Sequence, residues 1–272
     1  QEMEVVQSKE WYMAAYARDG LPSSDHLKLR TVSISLAVDS IPENHVAIQI
    51  LWISVDPYLR SRMTGIPGFA AWVGIQVIGK PKAGENVFIS AAAGGVGMIA
   101  GRLAKIKGCR VIGSTGSDDK VRLLKEEFGF DDAFNYKKET DVDAALSKYF
   151  PNGIDIYFEN VGGKTLEAVL NHVNTYARIP LCGMISQYNK VWTEREGVRN
   201  LLNMVGKEVH MQGFMLRSYF HRFGEFATEM GGYLKEQKLS SKLKINKGIE
   251  SFLDSMASLF TSSNSGKVVI QV

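Results

Sequence analysis

The amino-acid sequence predicts an α/β protein with a doubly wound parallel sheet and a smaller β-rich domain. Residues 85–110 begin with an apolar, β-branched run, continue through a turn of small residues and then follow a helical pattern of apolar positions. Strand-like and helical patterns alternate from there to about residue 214. Segments that alternate between apolar and polar residues precede this region, and another strand-like run lies at 268–272.

The turn of small residues is the first candidate site. Its sequence is AAAGGVG and begins at Ala91. In a strand–turn–helix unit of this kind, Gly94 lets the backbone approach a pyrophosphate and Gly97 lets the helix pack closely, with Gly95 and Val96 between them. The A-x-x-G-x-x-G spacing differs from the G-x-G-x-x-G of the dinucleotide fingerprint. The motif alone therefore leaves a tight turn in another kind of α/β protein as the alternative.

The end of the second predicted strand favours NADPH over NADH. NAD-specific proteins usually carry a carboxylate at this position, but here the sequence is STGS from Ser114 to Ser117, with Lys120 one turn into the next helix. Small hydroxyls and a lysine suit a 2′-phosphate, which a carboxylate would repel. Asp118 and Asp119 count against this assignment, but acidic residues also fit the first turn of a helix.

Six strands separated by five helices predict a parallel sheet whose ligand lies at the carboxyl ends of the strands. The predicted strands are residues 86–90, 110–114, 132–136, 154–160, 177–184 and 209–214, and the predicted helices are residues 96–107, 118–128, 142–150, 164–173 and 194–205. Tyr136, Asn160, Gly183 and Phe214 stand at the carboxyl ends of four of these strands, which makes them candidate site residues.

Both flanks of the large sheet contribute to the smaller predicted domain. The elements expected there and beside it are strands around Trp11, at 27–36, at 45–55 and at 268–272, and helices at 67–79, 219–238 and 249–260. The last strand is expected to return to the N-terminal β region. We therefore expect a smaller domain from residues 1–66 and 239–272, and a nucleotide-binding domain from residues 67–238.

Composition narrows the classes of function. The net charge of +3 and the lack of a basic block argue against a nucleic-acid partner. No long apolar segment or signal-peptide pattern stands out, so we expect no membrane association and a cytoplasmic location. Cys109 and Cys182 fall in strand-like runs and are expected to be reduced core thiols. With only these two cysteines and five histidines at no ligand spacing, no zinc site is expected.

Four segments of the chain together resemble a known family. They are AAAGGVG, GSTGSDDKVRLLKEEFGFDDAFNYKKE, FPNGIDIYFENVGG and CGMISQYN. These segments are similar to the zinc-independent, NADPH-dependent medium-chain reductases, and in particular to the plant 2-alkenal (double-bond) reductases, which are related to the prostaglandin/leukotriene reductases. The resemblance implies a GroES-like catalytic domain joined to a Rossmann domain, usually in a homodimer.

The resemblance also implies roles for individual cofactor-binding residues. Lys120 matches the lysine that holds the 2′-phosphate, and Tyr136 matches the tyrosine beside the adenosine ribose. Asn160 in FENVGG matches an asparagine that contacts the cofactor at the end of a strand. Asn264 in SSNSGK matches the asparagine near the nicotinamide.

Two tyrosines are the candidates for contact with substrate. Tyr188 in MISQYN matches the tyrosine that lies over the nicotinamide and the substrate carbonyl, whereas spacing alone favours an ordinary loop aromatic. Tyr58 in DPYLR matches a position in the active-site wall. Spacing alone leaves open whether the Asp-Pro turn that carries Tyr58 lines a cleft or is solvated.

One part of the chain departs from the family pattern. Residues 63–65 run almost directly into Pro67, where the family has a long segment that forms much of the β-barrel and part of the substrate pocket. The difference is on the order of fifty residues, too many for a trimmed surface loop. Either the sequence omits residues or the form is shortened, and substrate recognition is the property affected.

The resemblance implies NADPH-dependent reduction of the C=C bond in α,β-unsaturated aldehydes and ketones. Hydride would be added at the β-carbon, Tyr188 would stabilise the negative charge on the carbonyl oxygen, and water or Tyr188 would protonate the α-carbon. Two alternatives stay open. One is an NADPH:quinone oxidoreductase of the same superfamily. The other is a non-catalytic NADPH-binding relative that has lost its substrate pocket.

Overall fold

The structure of the protein is a computed structural model, which describes residues 5–15, 23–37, 50–55, 67–240, 242–261 and 263–272. Its first elements are β1 (Val5–Met13) and β2 (Leu27–Ser35), which form an antiparallel pair, and the short strand β3 (Trp52–Ser54). The strands expected around Trp11 and at 27–36 are therefore confirmed. The strand expected at 45–55 is observed only at its end, and its first residues lie outside the described part of the chain.

A helix leads into the large sheet. It begins as α1 (Pro67–Trp72) and continues as a π-helical stretch, Val73–Gly79, which ends at Lys80 in a left-handed conformation with φ 46°. The helix predicted at 67–79 is confirmed, although its second half is more widely wound than an α-helix. Phe69, Trp72 and Ile75 on this helix are buried and cover one face of the sheet.

The large sheet has six parallel strands. They are β4 (Asn86–Ile89), β5 (Arg110–Thr115), β6 (Asp132–Asn135), β7 (Ile154–Phe158), β8 (Val173–Leu181) and β9 (His210–Gly213), in the spatial order β6-β5-β4-β7-β8-β9. The helices that connect them are α2 (Gly97–Ile106), α3 (Asp118–Glu126), α4 (Val142–Tyr149), α5 (Gly163–His172) and α6 (Leu202–Gly206). The order reverses between β4 and β7, which is the position where a doubly wound sheet binds its ligand.

Apolar side chains cover both faces of the sheet, as is usual for parallel strands that lie between two layers of helices. On β4, Val87 and Ile89 pack with α2, whereas Phe88 points to the other face and packs with Phe150. Strands buried on both faces read as continuous apolar runs rather than alternating ones. Polar side chains cap two of the connecting helices: Ser117 caps α3, and Asp141 caps α4 by accepting a hydrogen bond from Ala144 N at 3.0 Å.

Two sequence predictions within the large sheet are wrong. The helix predicted at 194–205 contains only the five-residue α6, because residues 195–201 form no helix and the side chains of Glu196 and Asn200 hydrogen-bond to α5. The fifth strand begins at Val173 rather than at residue 177. Its early residues include Tyr176 with φ 63° and an irregular register against β7, a local geometry that apolar periodicity does not encode.

The segment after β9 returns to the N-terminal strands. It contains a 3₁₀ turn at Leu216–Arg222, α7 (Phe223–Lys235), β10 (Leu243–Lys247), α8 (Phe252–Phe260) and β11 (Lys267–Gln271). Strand β11 is parallel to β10 and antiparallel to β3, so the tail forms one sheet with a strand that precedes the large sheet. The expected return is thus confirmed, whereas β10 was not predicted. The division into domains 1–66 with 239–272 and 67–238 stays a prediction.

A small hydrophobic core packs the three-stranded sheet against α8. Val55, Val268 and Ile270 are buried together with Met256 of α8. In the part of the chain that the structure describes, no helix is long and apolar enough to cross a lipid bilayer.

Candidate functional site

The turn between β4 and α2 is folded back on itself. Ala91 has φ 48° and its carbonyl accepts a hydrogen bond from Gly94 N at 3.0 Å, while Ala92 N donates to the carbonyl of Ser114 at 2.9 Å. A Cβ at Gly97 would lie 2.6 Å from the Ala91 carbonyl oxygen. Only glycine therefore allows the first turn of α2 to come this close. The peptide groups of the turn are left near the surface at the carboxyl end of the central strand.

The neighbouring strand β7 is joined to this turn at the point where the strand order reverses. Asn160 follows β7, and its side-chain amide donates to the Ser90 carbonyl at 2.8 Å while its backbone N–H donates to Ser90 Oγ at 3.0 Å. The sequence placed Asn160 at this edge, and the structure shows that its amide bridges the two strands. Its position is therefore fixed from two sides.

A buried carboxyl group lies directly beneath Asn160. Glu159 Oε1 accepts hydrogen bonds from the Tyr157 hydroxyl at 2.7 Å and from Gly162 N at 2.9 Å, while Oε2 makes no hydrogen bond to any described residue. Burial raises the pKa of Glu159 and so favours the neutral acid. Sequence reasoning missed this network, because the FEN sequence shows a polar strand end but not that the side chain points inward.

At the end of β5, three lysines lie within electrostatic range of one another. Lys120 is buried on α3, and burial lowers its pKa first, followed by the positive charges of Lys137 and Lys244. Lys137 follows β6 and Lys244 lies on β10. Lys242, directly before β10, forms an exposed ion pair with Glu127 at the end of α3, with Nζ 3.1 Å from Oε1, so β10 begins beside that helix. We call Lys120, Lys137 and Lys244 the lysine cluster.

The acidic residues next to the lysine cluster have partners of their own. Asp118 accepts hydrogen bonds from Asn135 Nδ2 and Lys138 Nζ, and Asp119 pairs with Arg122. Their negative charges are therefore partly neutralised. The carboxylates that counted against a phosphate site in the sequence are compatible with an anion at the lysine cluster.

The hydroxyl residues at this corner have structural roles as well. Ser117 Oγ accepts a hydrogen bond from Lys120 N at 3.4 Å and so caps α3, while Ser114 is buried at the end of β5. Tyr136 is 39% exposed, and its backbone N–H donates to the Thr115 carbonyl at 3.0 Å. The backbone of Tyr136 is therefore fixed at the carboxyl end of β5, directly before Lys137, and its side chain is partly exposed.

The tail reaches the glycine turn. Gly266 N donates to the Ala93 carbonyl at 3.0 Å, and Gly266 and Gly94 form an isolated parallel bridge. A Cβ at Gly95 would lie 3.1 Å from the Cβ of Lys267. Asn264 is partly buried two residues before Gly266. The tail thus brings Asn264 to the edge that carries the glycine turn and Asn160.

Tyr188 lies in the loop after β8. Its hydroxyl accepts a hydrogen bond from Met184 N at 3.1 Å, and a Cβ at Gly183 would lie 2.7 Å from that hydroxyl oxygen. Gly183 therefore provides the space into which the hydroxyl fits. Burial raises the pKa of Tyr188, so the phenol keeps its proton and can donate it in a hydrogen bond.

The remaining predicted site residues are Phe214 and Tyr58. Phe214 directly follows β9, the outer strand of the sheet, and its ring lies edge-on to Tyr219 with centroids 6.3 Å apart. Tyr58 lies outside the described residues, as does the junction at 63–66. The described part of the chain therefore assembles the glycine turn, the lysine cluster, Asn160, Asn264 and Tyr188 along one edge.

The two cysteines flank strands of the large sheet, with Cys109 buried directly before β5 and Cys182 partly buried directly after β8. Burial raises the pKa of the Cys109 thiol to about 11 and that of the Cys182 thiol to about 12. Across the ranges that the structure describes, no three histidine, cysteine, aspartate or glutamate side chains lie together in a way that could hold a metal ion.

Comparisons with known proteins agree with this arrangement. Residues 95–231 match the family described as zinc-binding dehydrogenase. (+)-Pulegone reductase of Mentha piperita and the NADP(+)-dependent 2-alkenal reductase of Nicotiana tabacum are each 48% identical over 208 residues, which cover 76% of this chain. Those residues cover 60% of either relative, so the chain spans well under two thirds of the length of these curated proteins.

Solved structures give the same picture for the fold. CurA from Vibrio vulnificus in complex with NADPH has a TM-score of 0.87 and 30% identity, with 97% of this chain and 99% of that chain covered. The Escherichia coli quinone oxidoreductase complexed with NADPH has a TM-score of 0.66 at 19% identity, with 77% of this chain and 64% of that chain covered. The second likeness supports the fold alone.

Proposed function

Because this chain belongs to the zinc-binding dehydrogenase family, and its relatives in that family include double-bond reductases, we propose that it reduces the C=C bond of α,β-unsaturated aldehydes and ketones with NADPH. The observation that carries the proposal is the Tyr188 hydroxyl. It is a protonated donor in the loop after β8, at the same carboxyl edge of the sheet that carries a glycine turn and a lysine cluster suited to a dinucleotide.

The residues present fit NADPH rather than NADH. Burial and, after it, the charges of Lys137 and Lys244 lower the pKa of Lys120, and a phosphate dianion at this cluster would offset the positive charge that the two neighbours add. Hydrogen bonds from lysine to phosphate are charge-assisted and therefore stronger than neutral ones. The 2′-phosphate is the group that distinguishes NADPH, so the cluster supports the preference expected from the sequence.

The rest of the cofactor site follows from the same edge. The glycine turn would hold the pyrophosphate, Tyr136 the adenosine ribose, and Asn160 and Asn264 the part of the cofactor nearer the nicotinamide. Ser114 and Phe214 complete the proposed set. The residues proposed to bind the cofactor are Gly94, Gly95, Val96, Gly97, Ser114, Lys120, Tyr136, Asn160, Gly183, Tyr188, Phe214 and Asn264. When bound, NADPH supplies the hydride.

In the proposed mechanism, Tyr188 stabilises the negative charge that develops on the substrate carbonyl oxygen. Its hydroxyl already accepts a hydrogen bond from Met184 N, so its own proton is available for the carbonyl oxygen of an enal or enone. The hydrogen bond strengthens as negative charge develops on that oxygen, which lowers the barrier. The raised pKa keeps the donor protonated. Protonation of the α-carbon comes from water or through Tyr188. Tyr58 is proposed to line the substrate side.

Consumption of NADPH on addition of a reactive 2-alkenal tests this function directly. Turnover is expected with NADPH and the unsaturated aldehyde, slower turnover with NADH, and none with the saturated aldehyde of the same length. Binding of NADPH without any turnover would contradict the proposal and favour a non-catalytic relative. Turnover of quinones but not of enals would instead favour a quinone oxidoreductase.

Two further properties belong to the proposal. We expect a homodimer, because β9 is an outer strand of the sheet and Met215, two residues after it, is exposed. A cytoplasmic location is supported by the two cysteines, both of which are free thiols in the structure. The two-domain division at residues 66/67 and 238/239 is likewise part of the proposal.

A further inference from the structure

The loop after β8, residues 182–201, is seated on the turn between β7 and α5. We call it the β8 loop. Ile185 N donates to the Asn160 carbonyl at 3.0 Å, and Ser186 donates to the Val161 carbonyl twice, from N at 3.1 Å and from Oγ at 2.6 Å. These three bonds fix the part of the loop just before Tyr188. They do not restrain the residues after it.

A second attachment holds the other side of Tyr188. The carboxylate of Glu196 accepts hydrogen bonds at Oε2 from Lys164 N at 3.1 Å and from Gln187 Nε2 at 3.3 Å, and at Oε1 from Lys190 Nζ at 2.8 Å. Glu196 N donates in return to Gln187 Oε1 at 2.9 Å. One carboxylate therefore ties both flanks of Tyr188 to the first turn of α5. We call the hydrogen bonds of Glu196 with Lys164, Gln187 and Lys190 the clamp.

The space for this carboxylate is provided by a glycine. Gly163 has φ 56°, and a Cβ there would lie 2.6 Å from Gln187 Nε2 and closer still to Glu196 Oε2. Gln187 is buried although it is polar. The bond from Lys190 lowers the pKa of Glu196, so the group is a carboxylate at neutral pH. A buried glutamine, a carboxylate and a glycine with positive φ thus meet at one point.

We infer that Glu196, acting through Gln187, is a positioning residue that fixes the Tyr188 hydroxyl at the substrate carbonyl. The inference rests on the proposed function, since it assumes that Tyr188 contacts substrate. Catalytic donors lose most of their effect when displaced by about 1 Å, and such displacements cost on the order of 100-fold in rate. The bond from Met184 N holds the Tyr188 hydroxyl to the start of the β8 loop, whereas the bonds of Glu196 are what attach residues 187–196 to α5.

Steady-state kinetics on a graded set of variants tests the inference. Glu196→Ala is expected to lower kcat with a 2-alkenal by about 10-fold or more, with the KM for NADPH within about twofold of wild type. Glu196→Gln keeps an oxygen acceptor for Lys164 N and is expected to lose less than about threefold. Gly197→Ala is the matched control, because a Cβ there meets no atom within 4 Å.

A double-mutant cycle separates positioning from general damage. If Glu196 acts through Tyr188, Glu196→Ala should change kcat less than about twofold in a Tyr188→Phe background. An equal loss in both backgrounds would overturn the inference. Gly163→Ala would disrupt the clamp from the side of α5, because its Cβ would meet Gln187 Nε2 and Glu196 Oε2. It is expected to lower kcat as Glu196→Ala does, with a similar KM for NADPH.

Amide hydrogen exchange gives a readout that does not depend on turnover. The Lys164 and Glu196 amides, which donate within the clamp, should exchange faster in Glu196→Ala and Gly163→Ala than in wild type or Gly197→Ala. Unchanged exchange would overturn the clamp whatever the activity. Faster exchange in a protein that reduces no enal would support the clamp and contradict the proposed function, so the two failures are distinguishable.

Discussion

Lys120 lies at the corner of the sheet with its ammonium group partly withdrawn from water. Burial lowers its pKa, and so do the charges of Lys137 and Lys244. The sequence identified Lys120 because it follows a strand–turn–helix pattern at a fixed distance. Lys244 was not identified because it is more than a hundred residues away and lies on a strand that was not predicted. Its contribution arises only from the packing of β10 beside α3.

Replacement of Lys120 by Ala should weaken NADPH binding by about 10- to 100-fold, because a charge-assisted hydrogen bond to the 2′-phosphate is lost. NADH binding should change little. The dissociation constants of both cofactors, measured by fluorescence titration, check this. Lys244→Gln should show a smaller loss of the same kind, and Lys247→Gln, an exposed position on the same strand, serves as control. Equal losses for NADPH and NADH would refute the assignment of the phosphate.

The pH dependence of the rate should identify Tyr188. Its pKa is raised above the ordinary value of about 10 for tyrosine, so the protonated donor is present at all lower pH values and is lost only as pH rises through the raised pKa. We therefore expect kcat to show no pH dependence from the titration of Tyr188 near neutral pH and to fall only at alkaline pH, as the pH rises through the raised pKa. Tyr188→Phe should lower kcat by roughly 100-fold and abolish that alkaline limb. An unchanged alkaline limb would assign it to another group.

At the scale of single elements, the glycine turn was predictable from the local sequence, whereas the β8 loop was not. Apolar runs predicted the six parallel strands, because strands buried on both faces leave a strong signal. The glycines of the turn were recognised for the same reason that the structure needs them, namely close approach of α2. By contrast, residues 195–201 form no helix because Glu196 and Asn200 bond to α5, a tertiary contact that the local sequence does not show.

A pair of glycine substitutions tests the close approach at the turn. Gly97→Ala should destabilise the protein by about 1–3 kcal/mol, because its Cβ would lie 2.6 Å from the Ala91 carbonyl oxygen. Gly231→Ala in α7 should stabilise it by about 0.5–1 kcal/mol, because its Cβ meets no atom within 4 Å and alanine favours the helix. Denaturant unfolding of both variants gives the comparison. A stable Gly97→Ala protein would contradict the packing described for α2.

At the scale of the whole molecule, the tail connects the three-stranded sheet with the large sheet. Strand β11 pairs with β3, and Gly266 hydrogen-bonds to the glycine turn of the large sheet. The lysine cluster and Asn264 also depend on this segment. The sequence indicated the return of the tail from its final apolar run. The meeting of the tail with the glycine turn has no local signal, because it depends on how two separate sheets pack.

Ile270→Ala should therefore affect cofactor binding from a distance. Ile270 is fully buried in the small core, and its truncation should cost about 2–5 kcal/mol. We expect faster amide exchange in β10 and β11 and weaker NADPH binding, with the exchange of β4 and β5 unchanged. Val272→Ala, at a position 53% exposed, is the control. Full NADPH affinity in a variant whose tail exchanges freely would show that the tail is dispensable for the cofactor.

The two enclosed thiols have a consequence for the chemical survival of the protein. The proposed substrates are Michael acceptors, which alkylate cysteine thiolates and so inactivate many proteins. With a pKa of about 11 for Cys109 and about 12 for Cys182, the thiolate fraction at pH 7 is on the order of 1 in 10,000 or less. No other cysteine occurs in the sequence. Alkylation of either thiol by these electrophiles is therefore expected to be slow at neutral pH.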